Sequence, residues 1–199
     1  MKRLHSSHGY YSLTILPQPD CLLLGSNSER AAVVALLQDL LSPRFLISEA
    51  PAHQQLSSCI DLLGFSIRSQ QIQLILFSID RHIVTRFGEL LMDGLSVFRD
   101  RHFISAPPSY LPPILRATQL QGPHQALDAT VALHLLHEDW EYDRYSSIGF
   151  YLHDRRGDWM RIWRLTRLYG NESQRYRTLL YTQVMQSPVL TTPRLSLAP

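Results

Sequence analysis

Residues 61–79 read DLLGFSIRSQQIQLILFSI. Two apolar, β-rich runs are joined there by the short polar turn Arg68-Ser69-Gln70, which is the pattern of a β-hairpin. In the second run successive side chains alternate between faces. Gln71, Gln73, Ile75, Phe77 and Ile79 therefore share one side, while Ile72, Leu74 and Leu76 take the other. Two long amides stand side by side at the start of a strand otherwise made for a core.

Upstream, residues 9–16, GYYSLTIL, read as a first strand with Tyr10, Ser12 and Thr14 on one face and Tyr11, Leu13 and Ile15 on the other. Ser26-Asn27-Ser28-Glu29 has the spacing of a capping box. Val33, Val34, Leu36, Leu37, Leu40 and Leu41 then recur at helical intervals before Pro43, which predicts a helix packed on the sheet. Residues 44–48 read as a short strand and 51–58 as a loop. Downstream of the hairpin, Asp80 can cap a helix running to about Asp93, with Ile83, Phe87, Leu90 and Leu91 as its buried stripe and Gly94 ending it.

Residues 97–104, VFRDRHFI, read as a strand that projects Arg99 and Arg101 from one face. They could touch a phosphate backbone, or serve as the charges that protect an edge strand. Pro107-Pro108 marks a junction. Ser109 then caps an expected helix over 110–116 with Pro112 and Pro113 in its first turn. A further helix over 125–137 has Leu127, Val131 and Leu135 on its apolar face. His134 and His137 lie three apart on it and Glu138 follows, which invites a metal-site reading; helical His pairs more often hydrogen-bond or face solvent. Asn171 and Gln174 open a last helix at capping-box spacing.

The length of 199 residues suits one domain, or a compact core with an appendage. With 45% hydrophobic and 18% charged residues the composition is that of an ordinary globular protein. No apolar run reaches the roughly 18 residues of a membrane span, and the polar start MKRLHSSHG does not resemble a signal peptide, so a cytoplasmic protein without a membrane partner is expected. Cys21 and Cys59 are too few and too far apart for a disulfide framework or a metal knuckle and read as buried thiols.

The formal net charge is only +2, but Lys2 is the sole lysine and every other fixed cation is arginine. Arginine suits bidentate phosphate contact and base stacking; arginine codons of a high-GC gene would leave the same bias. Between 155 and 185 seven arginines face two acids, Asp158 and Glu172. Arg161, Arg164 and Arg167 lie three apart on an expected helix, close to Arg155, Arg156, Arg175 and Arg177, and Trp159, Trp163, Tyr169 and Tyr176 are interleaved with them. Either the patch holds phosphates and stacks bases, or the aromatics form a small core whose outer face the arginines solvate. Residues 187–199 read as a flexible tail.

Several separated blocks resemble the single-tyrosine HUH transposases, most closely the branch associated with repetitive extragenic palindromes. The hairpin frame matches, with Gln71-Ile72-Gln73 where that family has His, a hydrophobic residue and His. The Gly9-Tyr10-Tyr11 opening, Phe98 to Arg101, Tyr110 to Arg116, Glu138-Asp139-Trp140, Tyr145 to Leu152 and Trp159 to Gly170 are also similar to family motifs. In the family the two imidazoles share a divalent metal and a tyrosine on the helix after the hairpin attacks the phosphodiester. Here the metal pair is replaced by Gln71 and Gln73, and Arg86 stands in the segment expected to hold the tyrosine.

The resemblance implies a ferredoxin-like α+β fold: an antiparallel sheet with helices on one face in a core over 1–106, a C-terminal helical extension over 107–186, and the tail. It implies a DNA partner, single-stranded or hairpin; the residues expected to contact it are Arg99 and Arg101 together with Arg155, Arg156, Arg161, Arg164, Arg167 and Arg175 of the basic patch. A chain lacking both metal ligands and nucleophile is expected to bind without catalysis and without a metal cofactor. The alternatives are a scaffold acting through protein contacts or self-association, and an active nuclease using Tyr110 with a metal site rebuilt from His82 or His102.

Overall fold

The computed structural model describes residues 8–42, 58–102, 112–136 and 140–186. Its sheet has four strands, β1 (Gly9–Leu16), β2 (Ile60–Ile67), β3 (Ile72–Ser78) and β4 (Ile114–Leu120), in the order β2-β3-β1-β4 with every neighbouring pair antiparallel. Helix α1 (Asn27–Leu41) connects β1 to β2, and α2 (Arg81–Arg101) lies between β3 and β4. The path is therefore that of a ferredoxin-like α+β fold. The hairpin is β2-β3, and its turn closes where the Arg68 N–H donates to the Gln71 carbonyl at 2.8 Å.

Strand alternation divides the side chains as the sequence predicts. Tyr11, Leu13 and Ile15 of β1 and Ile72, Leu74 and Leu76 of β3 join Val33 and Leu37 of α1 and Val84, Phe87 and Leu91 of α2 in one buried cluster. Tyr10, Ile75 and Phe77 face the other way. There the extension covers them with α3 (Pro123–His134), α4 (Ile148–Tyr151), α5 (Trp163–Thr166) and α6 (Ser173–Gln186). The helices of the core thus lie on one face and those of the extension on the opposite one. Gly64 makes the second contact close: a Cβ there would stand 3.0 Å from the Thr130 methyl of α3.

The extension also closes one edge of the sheet. The Ile67 N–H donates to Tyr145 O and the Ser147 N–H to Phe65 O, each at 2.9 Å, while the Arg161 N–H reaches Leu62 O at 2.9 Å. Two non-consecutive segments thereby satisfy the outer groups of β2, which would otherwise form an open edge.

Helix α1 begins at the expected N-cap, Ser26, while the reciprocal bond of the capping box shifts one residue upstream to Gly25. Ser26 Oγ accepts from the Glu29 N–H at 3.2 Å, and Glu29 Oε2 accepts from the Gly25 N–H at 2.7 Å. Helix α2 departs from expectation, because it runs through Gly94 to Arg101. Gly94 is the point where Leu36 of α1 approaches, 2.8 Å from where a Cβ would sit, so close packing rather than chain termination explains the glycine. Residues 97–101 are consequently helical, not a strand. The fourth strand comes later, at Ile114–Leu120, where a helix over 110–116 is expected; the sheet thus takes a strand from beyond residue 106. Pro112 and Pro113 lie just ahead of β4, where their missing N–H groups interrupt no ladder. The expected strand at 44–48, the loop at 51–57, Tyr110, His137, Glu138 and the tail over 187–199 lie outside the described residues. Both cysteines are half-buried thiols, more exposed than expected.

Candidate nucleic-acid interface

Gln73 sits on β3 between Thr14 of β1 and Ser66 of β2, on the sheet face opposite α1 and α2. Arg86 lies on the exposed side of α2, donating to Glu89 at 3.0 Å. The sheet therefore stands between the two positions that the family resemblance would join, and they form no common site. Two neutral amides are also a poor donor set for a catalytic cation. Among the described residues no three His, Cys, Asp or Glu side chains converge on a metal position. His82 and His102 flank α2 at opposite ends, about 30 Å apart by helical rise, and cannot share one ion.

The arginines expected to touch DNA divide by environment. Arg99 is 5% exposed and does not face solvent: it donates to Glu29 Oε1 at 2.6 Å and to Leu23 O at 2.7 Å, tying α2 to the start of α1. Its assignment as a surface contact is corrected by the helical register, which turns it inward. Arg155 donates to Arg144 O at 2.9 Å and Ser146 O at 3.3 Å, and its stem packs on Gly149. It holds the loop that runs beside β2. Arg164 pairs with Asp61 of β2 at 2.5 Å. Arg175 pairs with Glu172 at 3.0 Å in the open. Arg101, Arg156 and Arg167 are exposed and Arg161 half-buried, none with a carboxylate partner among the described residues. Arg161, Arg164 and Arg167 do not share one helix: Arg161 precedes α5 and Arg167 begins a 3₁₀ turn, Arg167–Tyr169.

The interleaved aromatics divide in the same way. Trp159, Tyr169 and Tyr176 are buried, as the core reading expects, but Trp163 is 51% exposed. The Arg164 guanidinium lies 4.9 Å from the Trp163 ring and 4.0 Å from that of Phe77, and Arg167 lies 5.8 Å from Trp163 on the ring face. All three are within cation–π range. Phe77 belongs to this surface although its sequence signal was only its place on the amide-bearing face of β3. Nothing in the local sequence announces the Asp61–Arg164 pair, whose members are 103 residues apart.

Behind this surface lies a buried polar network. His134, fully buried, has Nδ1 2.7 Å from the Tyr176 hydroxyl and Nε2 2.6 Å from Ser147 Oγ, which also accepts from the Phe65 N–H at 2.9 Å. Both ring nitrogens are engaged, so His134 serves as the link between α3, α6 and β2 and not as a metal ligand. Burial lowers its pKa to about 3 and pushes the Tyr151, Tyr169 and Tyr176 phenols up. Tyr151 donates to Leu63 O at 2.7 Å and its ring stacks on Tyr176 at 4.7 Å. These groups hold the extension against the sheet and so fix where α5 presents Trp163.

No family model matches the chain, and neither the curated proteins nor the solved structures contain a match. No helix among the described residues is long and apolar enough to cross a membrane.

Proposed function

We propose that this protein binds single-stranded or hairpin DNA without cleaving it, as a non-catalytic relative of the single-tyrosine transposases. The observation that carries the reading is Trp163, a half-exposed indole with two guanidiniums against it, in a stretch whose Arg156 and Arg161 also reach solvent. An exposed aromatic ring offers a face on which an unpaired base stacks, and unpaired arginines beside it neutralise the adjoining phosphates. Gln71, Gln73 and Arg86 bring no nucleophile and no metal donor set to one place, which supports binding without cleavage. A second reading, association with protein, draws on Tyr142, Tyr181 and Met185, which are exposed around the outer side of α6.

Fluorescence anisotropy of the protein with labelled hairpin, single-stranded and duplex DNA across a salt series tests the proposal. Trp163→Ala is expected to weaken hairpin or single-strand affinity about tenfold, in line with roughly 1–3 kcal/mol per stacked base. Arg161→Ala with Arg167→Ala should flatten the dependence of log affinity on log salt by about 0.7 for each phosphate no longer neutralised. A chelator should leave the affinity unchanged. Absence of binding to every form at low salt would overturn the reading and turn attention to the α6 surface.

A further inference from the structure

We infer that the cavity between the C-terminal half of α1 and the loop 155–159 is a site for a small zwitterion, an α-amino acid with an apolar side chain. The site does not depend on the DNA-binding reading. The cavity measures about 580 Å³, with Val34, Gln38 and Ser42 on one side and Phe150 and residues 155–159 on the other. That volume lies within the size range of small-ligand sites. One donor in it has no partner. Trp159 is 7% exposed, and its indole is fixed by Phe65, stacked at 5.8 Å, and by Phe150, edge to face at 5.4 Å. Its Nε1–H has no acceptor among the described residues, and the nitrogen is not fully enclosed. Gly157 lies against that nitrogen: a Cβ there would stand 2.6 Å away. Because Gly157 and Trp159 both line the cavity, the N–H opens into it.

A buried indole N–H ordinarily finds an acceptor. A ligand carboxylate supplies one, and the adjoining Arg156, exposed and without a carboxylate partner among the described residues, can hold the same group. The opposite polarity is present in the same cavity. Asp158 is exposed and has no cationic partner among the described residues. Helix α1 ends at the Ser42 C-cap with no basic residue in its last turn, so the negative end of its dipole is uncompensated there. Arg155 does not alter this balance, because its guanidinium is committed to the Asp143, Arg144 and Ser146 carbonyls. A simple anion would meet the Asp158 carboxylate and the helix end unfavourably. A ligand that carries an ammonium beside its carboxylate satisfies both ends, and Val34 and Phe150 leave an apolar wall for its side chain.

The test follows the three indole N–H signals in proton–nitrogen correlation spectra of the full chain. The Trp159 signal is the one present in both Trp140→Phe and Trp163→Phe. L-phenylalanine and L-leucine are titrated beside N-acetyl-L-phenylalanine, which lacks the ammonium, and L-phenylalaninamide, which lacks the carboxylate. At least one of the two amino acids should shift the Trp159 signal saturably, and each blocked compound should bind about tenfold more weakly than phenylalanine. Arg156→Gln and Asp158→Asn should each weaken amino-acid binding by a similar factor; both side chains are exposed, so neither change puts the fold at stake. If neither amino acid moves the signal at millimolar concentration, if a blocked compound binds as tightly as phenylalanine, or if both variants bind like the parent, the site is overturned. None of these results bears on DNA binding, which is tested at Trp163, Arg161 and Arg167.

Discussion

Arg99→Ala is expected to lower the free energy of unfolding by about 3–5 kcal/mol, the range found when one partner of a buried ion pair is removed. The change leaves the Glu29 carboxylate in a site 3% exposed, with the Gly25 N–H and Ser26 Oγ as its remaining partners among the described residues. It also releases the Leu23 carbonyl from a 2.7 Å bond. The double change Arg99→Met with Glu29→Gln removes both charges while keeping an amide able to serve the capping box. It should recover at least half of the stability. Urea denaturation followed by circular dichroism reads both. A single-variant effect below about 1 kcal/mol would mean that the pair contributes no more than a surface contact.

The second large effect is acid lability through His134. Its folded pKa is lowered to about 3 by burial, against an unfolded value near 6.5. The unfolded chain therefore binds the extra proton first, and the stability present above about pH 6.5 is lost as pH falls towards 3. At about 1.4 kcal/mol per unit of pH, the loss reaches about 2 kcal/mol by pH 5. His134→Gln keeps a donor and an acceptor but cannot take up the proton. It should be less stable than the parent at pH 7 and show a flatter decline between pH 6.5 and 4. Thermal melts across that range decide the matter: parallel curves for both proteins would assign the acid sensitivity to other groups. Because the network seats α3 and α6 on β2, loss of the proposed DNA binding should accompany unfolding and not precede it.

Local pattern made much of the core legible. The hairpin, the first strand, the N-cap at Ser26 and the division of β1 and β3 into two faces depend on period-2 or period-3.6 spacing between neighbours in the chain. Such pattern misleads where a residue has one local meaning and another in three dimensions. Gly94 signals a helix end by itself, yet it lies within α2 because Leu36 packs against it. The stretch before β4 contains two prolines that suit a first helical turn, yet pairing with β1 made Ile114–Leu120 a strand. Tertiary pairing there outweighs a propensity difference of a fraction of a kcal/mol per residue.

The candidate site was legible in composition and not in geometry. The density of arginine and aromatic residues over 155–185 is visible in the chain, but which of them face solvent is decided by partners far away in sequence: Asp61 for Arg164, Glu29 for Arg99, and the carbonyls of the 143–146 loop for Arg155. By itself the sequence determined an α+β chain with a strand-turn-strand centre, an arginine-based surface and no histidine pair at the hairpin, because these follow from residue type and short spacing. Only the tertiary structure decided that the extension covers the second sheet face, that Gln73 and Arg86 lie on opposite sides of the sheet, and that Trp163 alone of the four interleaved aromatics is exposed. Burial, ion pairing and face are properties of contacts between distant segments, and no local period encodes them.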